Sequence, residues 1–400
     1  WQASDIRLDT GDTLGSAHSC YPRIACSGSS VYVVWQDDRN SSDDWDIYFN
    51  SSINGGASWQ SSALRIDHVS VTGQDSISPQ LACSGSDVCV VWEDYRNSPN
   101  TDIYSNYSTD SGTSWQSSDI RVDTGDSPGA QTSLEPRIAR SGNDVYVIWL
   151  DMRSGQQDTY FNHSNNNGAN WQAAGTRLNT DTPLGNYSNN PRISCRGKKV
   201  YAVWDDWRNG GMSDNGDIYF NFSLDEGKTW QSPDYRLDTG DLPGDDRSLR
   251  PRVCCSDDTV YVVWEDWRDG ARDIYFNKTM LPRPVIKANG SGSNITIKKS
   301  DNLTLTIELD VGTHTGVNVD VWLLADTPFG WYFFHMTNGW LPGKMVTYQG
   351  KIKNILNKKV FDESGLPRGS YTFYFGLDFV MNGSVNLAKG HYDKVSVLVN

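Results

Sequence analysis

The stretch VYVVWEDWRDGARDIYFN, from Val260 to Asn277, decides the fold of this chain. Two runs rich in Val, Tyr, Trp, Ile and Phe flank a polar turn that contains Asp, Arg and Gly, which predicts a β-hairpin. The same phrase also begins at Val31, Val88, Val145 and Val200. The tryptophans that mark the copies are 57, 57, 55 and 60 residues apart: Trp35, Trp92, Trp149, Trp204 and Trp264. A near-constant period of this size predicts a repeat architecture.

Each repeat is predicted to contain four strands. The first opens with Pro and a short apolar run, as in PRIAC from Pro22, and the hairpin supplies the second and third. A compact turn with the pattern S-x-[DN]-x-G-x-x-W precedes the fourth strand and begins at Ser52, Ser108, Ser164 and Ser223. Its Asp or Asn is expected to cap backbone amides, its Gly to take a positive φ, and its Trp to pack against the sheet.

These turns resemble the Asp-box, or bacterial neuraminidase repeat, of sialidase-like β-propellers. The resemblance implies an all-β, five-bladed propeller over residues 1–280. The fifth repeat lacks the turn and the fourth strand, whereas Trp1–Asp9 (WQASDIRLD) matches the fourth strand of the second repeat, WQSSDIRVD from Trp115. Trp1–Asp9 is therefore predicted to pair beside Asp273–Asn277 and close the ring, or to complete that blade in a neighbouring copy.

A second domain is predicted over residues 281–400. Leu281–Pro284 (LPRP) is interpreted as a linker, and the alternating strands after it predict a β-sandwich of the immunoglobulin-like type. The stretch from Asp320 to Gly343 (DVWLLADTPFGWYFFHMTNGWLPG) resembles C-terminal β-modules of secreted bacterial proteins.

The composition excludes some partners. A net charge of −14 argues against nucleic acid or an anionic membrane surface, and no run is long enough to insert into a membrane. The acidic surface permits Ca²⁺ binding, but no other cofactor and no metal-ligand motif is predicted. The start at Trp1, without Met or a leader, is interpreted as a processed or trimmed form.

The sequons and cysteines favour an extracellular or cell-surface location. Cys83 and Cys89 flank a predicted hairpin turn and are expected to form a cross-strand disulfide; the other five cysteines could form further bridges, and the odd total of seven leaves one unpaired or intermolecular. Eleven N-x-S/T sequons are candidate glycosylation sites: Asn40, Asn50, Asn106, Asn162, Asn186, Asn221, Asn277, Asn289, Asn294, Asn302 and Asn382. Five of these stand in one repeat column, which a local structural need would also explain.

Two sets of arginines are candidate ligand-binding residues on one propeller face. The first follows the anchor tryptophans in the pattern W-x-D-x-R: Arg39, Arg96, Arg153, Arg208 and Arg268. The second opens the innermost strands: Arg23, Arg137, Arg192 and Arg252, with Gln80 in the second repeat. Arginine forks bind carboxylated or sulfated sugars well, and Trp207 and Trp267 are placed to stack on sugar rings. The favoured alternative is that an Asp–Arg pair braces a turn in every blade and that the aromatic side chains pack between loops.

The function predicted from the sequence is non-catalytic. The resemblance implies three arginines that clamp a substrate carboxylate, and YPRIA at Tyr21 is similar to the family's motif, but no catalytic Tyr–Glu pair or acid Asp stands out. The leading hypothesis is a secreted or surface protein for adhesion, carbohydrate binding or assembly of a filament or sheath, with glycans or other copies of itself as partners. The alternative is a sialidase-like glycoside hydrolase that acts from the arginine-rich face.

Overall fold

The protein is all-β. The computed structural model describes residues 4–41, 44–69, 73–180, 187–210, 215–231, 233–256, 259–379, 381–385, 387 and 391–400. Strands and turns, without a helix, make up these residues, so the all-β prediction is confirmed. Within the same ranges we find no helix of the length and apolarity needed to cross a membrane. The chain divides into two compact units: Trp1–Cys255 with Tyr261–Asn277, and Ser256–Val260 with Lys278–Asn400.

The repeats form five antiparallel sheets, numbered here in chain order. Sheet 1 contains β1 (Ser19–Ser27), β2 (Ser30–Ser41), β3 (Asp44–Ser52) and β4 (Leu64–Arg65). Sheet 2 contains β5 (Ser76–Ser84), β6 (Asp87–Asp94), β7 (Asp102–Ser108) and β8 (Ile120–Arg121). Sheet 3 contains β9 (Ser133–Ser141), β10 (Asp144–Asp151), β11 (Asp158–Ser164) and β12 (Thr176–Arg177). Sheet 4 contains β13 (Ser188–Arg196), β14 (Lys199–Asp206), β15 (Asp217–Ser223) and β16 (Tyr235–Arg236). Sheet 5 contains β17 (Ser248–Ser256), β18 (Thr259–Asp266) and β19 (Asp273–Met280).

Successive sheets pack face to face, because both faces of each hairpin are apolar. Tyr32 and Phe49 of sheet 1 pack against Val88 and Trp92 of sheet 2, and the same positions meet between the following sheets. The innermost strands are neighbours, since β1 contacts β5, β5 contacts β9 and β9 contacts β13. Four-stranded sheets arranged in this way form a β-propeller.

The compact turns between the third and fourth strands have the predicted local geometry. In the second repeat, Asp110 Oδ1 accepts the Ser114 amide at 2.9 Å and the Ser108 hydroxyl at 2.8 Å. Gly112 takes a φ of 77°, and its amide donates to Ser108 Oγ at 2.9 Å. A Cβ at Gly112 would lie 2.2 Å from the ring of Phe49 in the preceding sheet, so glycine also permits the close approach of neighbouring blades.

The predicted pairing of the N-terminal strand is not observed. Residues 4–9 form no strand, residues 1–3 lie outside the described ranges, and sheet 5 has three strands. The segment instead lies on sheet 1, where the Leu8 carbonyl accepts from Asn50 at 2.9 Å and the Leu8 side chain packs against Trp35. Arg7 forms ion pairs with residues close to it in sequence, Asp9 and Asp12, both at 2.6 Å. In the other blades, the equivalent arginine pairs with an aspartate at the start of the third strand.

One face of sheet 5 is open. Ile274 and Phe276 in β19 are 72% and 57% exposed, whereas the equivalent Ile47 and Phe49 in sheet 1 are fully buried. The sequence pattern could not show this difference, because the apolar residues in all five hairpins are nearly the same.

An aspartate pair shares one arginine beside the fourth strand of sheet 1. Arg65 pairs with Asp46 at 2.6 Å and with Asp67 at 3.1 Å. Burial, and then the charge of Asp67, raises the pKa of Asp46 to about 7. Sheet 3 has Asn179 in place of the second acid, and its amide donates to Asp158 at 2.6 Å.

We expect Asp67→Asn to stabilise the protein above neutral pH. The pKa of Asp46 is above its unfolded value, so the folded state holds the extra proton and its stability falls as pH rises from about 4 to about 7. Removing the second charge should lower that pKa and add about 1 kcal/mol at pH 8. Thermal melts at pH 5 and pH 8 test this, with a larger gain expected at pH 8. The reverse variant, Asn179→Asp, should lose stability at pH 8, and equal effects at both pH values would contradict the explanation.

The second unit contains two sheets around one apolar core. Its strands are β20 (Arg283–Ala288), β21 (Ile295–Ile297), β22 (Asn302–Asp310), β23 (Asn318–Thr327), β24 (Gly330–His335), β25 (Gly339–Pro342), β26 (Tyr348–Lys351), β27 (Ile355–Ser364), β28 (Gly369–Asp378) and β29 (His391–Val399). One sheet has the order β20-β22-β27, and the other β21-β29-β28-β23-β24-β25 with β26 also paired to β23. Leu305 from the first sheet and Phe373 from the second share the core. Part of the predicted linker, Arg283 and Pro284, belongs to β20. In the antiparallel ladder of β20 and β22, the backbone of Arg283 lies opposite that of Asp310.

Candidate functional site

The W-x-D-x-R arginines brace their own turns. In sheet 3, the carboxylate of Asp151 accepts from Trp149 Nε1 at 2.7 Å and from the Arg153 amide at 2.9 Å. It also accepts from Arg153 Nε at 2.8 Å and Nη2 at 2.6 Å, so a planar fork closes on a buried acid. The other four sheets repeat these contacts.

The same five guanidinium groups also lie over tyrosine rings of the third strand. The distances to the ring centroids are 4.1 Å for Arg39, 3.9 Å for Arg96, 4.7 Å for Arg153, 3.8 Å for Arg208 and 4.2 Å for Arg268. Such contacts stabilise a partly buried cation without a ligand. These contacts are those expected of arginines that brace their turns, and a role of the same arginines in ligand binding stays a prediction.

The two candidate tryptophans also pack between loops. The Trp207 ring makes an edge contact with Tyr187 at 5.7 Å. Trp267 lies between two cations, 5.3 Å from Arg247 and 4.7 Å from Arg272. Both side chains are only half-exposed.

The innermost arginines form a different set. In Arg23, Arg137, Arg192 and Arg252, Nη1 donates to the carbonyl of the preceding proline at 2.7–3.0 Å. Arg137 pairs with Glu135 at 3.3 Å, whereas no ion pair with a described residue is found for Arg23, Arg192 or Arg252. Among the described residues, four cations from four sheets thus have one close carboxylate partner.

The charges of these arginines act on one another. Burial, and then the charges of Arg137 and Arg252, lowers the pKa of Arg192 to about 9. Burial also lowers the pKa of Arg137, to which the charges of Arg23 and Arg252 contribute. The guanidinium groups therefore repel one another, and the neighbouring carboxyl groups of Glu135, Glu93 and Asp205 oppose only part of this effect.

A left-handed residue precedes the proline in every innermost strand. The φ values are 52° at Tyr21, 56° at Ser78, 50° at Glu135, 49° at Asn190 and 54° at Arg250. The strand register shifts beside this position in the first four sheets, which marks a β-bulge. The backbone is thus the same in each blade, but five different side chains stand at the bulge.

The bulge amides are held by side chains of the preceding sheet. The Ser78 amide donates to Gln36 at 2.9 Å, the Glu135 amide to Glu93 at 2.9 Å, and the Arg250 amide to Asp205 at 3.1 Å. These three acceptors stand at the first variable position of W-x-D-x-R, directly after the tryptophan. Along the chain, the residues at this position are Gln36, Glu93, Leu150, Asp205 and Glu265. The blades therefore differ in both columns that surround the arginines.

Glu135 lies near two buried carboxyl groups, those of Glu93 and Asp205, beside the arginines. Burial raises the pKa of Glu93, and burial raises that of Asp205 to about 6; the charge of Glu135 contributes to both shifts. Asp205 Oδ2 is buried and has no hydrogen-bond partner in the described part of the chain, as expected for a carboxyl that can carry a proton. The Glu135 side chain is 41% exposed and is the member of the group that a ligand would meet.

Sequence reasoning missed Glu93, Glu135 and Asp205. The sequence feature that could have identified them is variation between repeats. Each stands at a repeat position whose residue type differs from one repeat to the next, whereas the flanking positions are constant. A site that binds one ligand must break the symmetry of the repeats, so the variable columns were the informative ones.

The column of predicted glycosylation sites needs correction. Asn50, Asn106, Asn162 and Asn221 are at most 1% exposed, and each amide donates to a carbonyl of the preceding fourth-strand segment at 2.7–3.2 Å. A glycan cannot be attached to a buried amide in the folded chain, so the local structural need explains this column. Asn277 makes the same contact while half-buried. The exposed sequons are Asn40, Asn289, Asn294, Asn302 and Asn382, and Asn186 lies outside the described residues.

The predicted Cys83–Cys89 disulfide is not formed, and both thiols are free. Cys83 pairs opposite Val88 and Cys89 opposite Ala82, so the two side chains lie on opposite faces of the sheet. A shift of one residue in register decides this.

The described residues contain no cluster of three or more His, Cys, Asp or Glu side chains that could hold a metal ion. An apolar cavity of about 640 Å³ lies in the second unit, lined by residues that include Leu309, Val321 and Phe375, and holds none of the candidate residues.

No protein-family model and no curated protein sequence matches the chain. Its structure is similar to that of the Penicillium chrysogenum α-L-arabinanase complexed with arabinobiose, with 15% identity and a TM-score of 0.45 over 73% of this chain and 88% of that one. It is also similar to the GH93 α-L-arabinofuranosidase of Fusarium graminearum, with 14% identity and a TM-score of 0.41 over 68% and 84% of the chains. The endo-arabinase from Bacteroides thetaiotaomicron gives 11% identity and a TM-score of 0.37 over 64% and 92%.

The similar structures are glycoside hydrolases with propeller folds, and this finding corrects the expectation of a non-catalytic protein for adhesion, carbohydrate binding or assembly. That expectation depended on the absence of distinctive catalytic carboxylates in the sequence. Glu93, Glu135 and Asp205 come from three different sheets, and only the fold brings them together.

Proposed function

We propose that this protein is a glycoside hydrolase that acts on glycans carrying carboxylate or sulfate groups. The observation that carries the proposal is the cluster of four innermost arginines with one close carboxylate partner, Glu135. A half-buried cationic cluster of this kind costs stability unless a ligand supplies the missing negative charge. Guanidinium groups bind carboxylate and sulfate oxygens with two parallel hydrogen bonds, which also orients the sugar.

Two neighbouring carboxyl groups supply the reaction chemistry in this proposal. Glycoside hydrolysis needs one carboxyl that donates a proton and a second, ionised carboxylate that activates water or attacks the sugar. We assign the ionised role to the exposed Glu135. Glu93, which accepts the amide of Glu135 and has a raised pKa, is assigned the proton-holding role. The buried Asp205 would tune the charge of the pair.

Arg192→Leu is expected to weaken the binding of charged sugars but not that of neutral sugars of the same shape. Affinity for an anionic oligosaccharide should fall about 10- to 100-fold, because a charge-assisted pair is worth roughly 1.5–3 kcal/mol. Affinity for the neutral analogue should not change. Calorimetric titration with uronate-containing, sulfated and neutral oligosaccharides makes the measurement, and Arg368→Leu, at an exposed site in the second unit, is the control.

The thermal midpoint gives a second readout. Arg192→Leu removes a cation that lacks a close partner, so the midpoint of the free protein should stay level or rise. Equal losses of affinity for charged and neutral sugars, or a protein that releases no product from any anionic glycan, would overturn the proposed function.

The finer features of the fold belong to the same proposal. We propose that the five sheets are the five blades of an Asp-box propeller over residues 1–280, followed by an immunoglobulin-like sandwich over 281–400. A secreted or surface-exposed location would suit an enzyme for extracellular glycans. Its partners would be glycans, and it would not need a cofactor.

A further inference from the structure

The apolar cavity of the second unit lies between its two sheets. Its volume of about 640 Å³ is within the range of roughly 300–1,000 Å³ that is typical of small-molecule sites. Leu309 from β22, Leu323 from β23 and Phe375 from β28 contribute to its walls, and each of these side chains is at most 2% exposed. An apolar space of this kind holds water poorly, so an aliphatic chain gains free energy by filling it.

One wall of the cavity consists of β26 and the residues on either side of it. Before β26, Thr347 Oγ1 accepts the Leu323 amide at 2.9 Å. After β26, Asn354 Oδ1 accepts the Val311 amide at 2.9 Å. The wall is thus fixed at both ends, and the cavity is preformed, as ligand sites usually are.

The charged residues that line the cavity are all cationic. They are Lys351, Lys353 and Lys358, and all three are exposed. No Asp or Glu is among the described residues that line the cavity, and no ion pair with a described residue is found for these lysines. The whole chain has the opposite balance, with 49 acidic and 35 basic residues. A lysine stem can pack along an apolar wall while its ammonium group stays in water, so the cavity has a cationic mouth.

Exposed apolar side chains stand at the same mouth. Leu356 is 88% exposed, the largest exposed fraction of any large apolar side chain in the described ranges, and Met336 is 60% exposed. A single apolar side chain in water is ordinary, but these two line one cavity together with three lysines. Apolar and ammonium groups at one opening match a ligand that has an aliphatic chain and an anionic head.

We propose that this cavity binds an unesterified fatty acid. The aliphatic chain would fill the space between the sheets, and its burial would supply most of the affinity. The carboxylate would lie at the mouth and accept charge-assisted hydrogen bonds from the ammonium groups of Lys351, Lys353 and Lys358. A free fatty acid fits better than a lipid in an anionic bilayer, because the net charge of −14 opposes approach to such a surface. The inference rests on the second unit alone and does not depend on the proposed function.

The test is calorimetric titration of the full chain with sodium decanoate, sodium dodecanoate and 1-decanol, each below the concentration at which it aggregates. We expect saturable binding of one dodecanoate per chain. Decanoate should bind about 15-fold more weakly than dodecanoate, because each buried methylene contributes about a factor of four. The neutral 1-decanol should bind at least about tenfold more weakly than decanoate, because it lacks the charge that the lysines recognise. Vesicles of phosphatidylglycerol should not co-sediment with the protein.

Matched variants locate the site. Val321 lines the cavity, so Val321→Phe should fill part of it, abolish decanoate binding, and keep or raise the thermal midpoint. The double variant Lys353→Glu with Lys358→Glu should weaken decanoate binding at least about tenfold and leave 1-decanol binding level. Lys299→Glu, at an exposed site outside the cavity, is the control and should change neither affinity. The lysine variants change exposed side chains only, so they test the proposal even if Val321→Phe does not fold.

Four results would each overturn the proposal. They are the absence of saturable dodecanoate binding, equal affinities for decanoate and 1-decanol, and a decanoate affinity that the lysine double variant and the Lys299→Glu control share. The fourth is co-sedimentation with the vesicles by a protein that does not bind free dodecanoate, which would make the mouth a site for a membrane lipid instead.

Discussion

Asp151→Ala should lose about 3–5 kcal/mol of unfolding free energy, the cost of removing one partner from a buried ion pair. Asp151 is 1% exposed and accepts five hydrogen bonds, from Trp149, Arg153 and Ser133. Its loss leaves the guanidinium of Arg153 with Asp126 as its nearest acid, at 3.9 Å. Chemical denaturation followed by tryptophan fluorescence measures the change.

Two comparisons make this result informative. Asp273→Ala removes an exposed aspartate from β19 and should change stability by less than about 0.5 kcal/mol. A double variant, Asp151→Leu with Arg153→Met, should recover part of the loss, because both charges leave the interior together. A loss below about 1 kcal/mol for Asp151→Ala would mean that the W-x-D-x-R arginines are not structural braces, and they would return as candidates for ligand binding.

The sequence predicted the structure well at positions that serve the same structural purpose in every repeat. The apolar hairpin, the polar turn and the capped turn recur because each sheet must bury two faces and satisfy the same buried amides. Their period therefore predicted the strands of the five sheets, whereas the pairing predicted for residues 1–9 is not observed. The buried Asn50 column and the Asp–Arg braces have the same origin, which is why their repetition argued against a role in ligand binding.

The sequence did not predict the features in which the repeats differ from one another. Glu135 and Asp205 are 70 residues apart and belong to different elements, so their coupling depends on how the innermost strands meet. The open face of sheet 5 is similar, because Ile274 and Phe276 fit the apolar pattern of the other hairpins and yet are exposed. In the second unit, the sequence pattern does not reveal β27, because most residues of this strand are polar and exposed.

Glu135→Gln is expected to reduce turnover at least 100-fold while anionic ligands remain bound. The change keeps the shape of the side chain and the bulge amide that donates to Glu93, but it removes the carboxylate that activates water or attacks the sugar. It also removes the one close counter-charge of Arg137, so affinity for an anionic sugar should stay level or increase. Steady-state kinetics with an anionic oligosaccharide should therefore show a fall in kcat without a rise in KM.

The control for this prediction is Glu226→Gln. Glu226 lies in a turn between β15 and β16 and pairs with Lys198 and Lys228, so its loss should leave turnover unchanged. Because the Glu135 side chain is 41% exposed, its substitution should not unfold the protein, and a fall in turnover can be attributed to chemistry. Unchanged turnover in Glu135→Gln would remove Glu135 from the reaction. If Arg192→Leu still lost affinity for anionic sugars, the arginines would be a binding site whose catalytic carboxylate lies elsewhere. The kinetic and calorimetric measurements therefore separate the two halves of the proposed function, since one depends on Glu135 and the other on the cationic cluster.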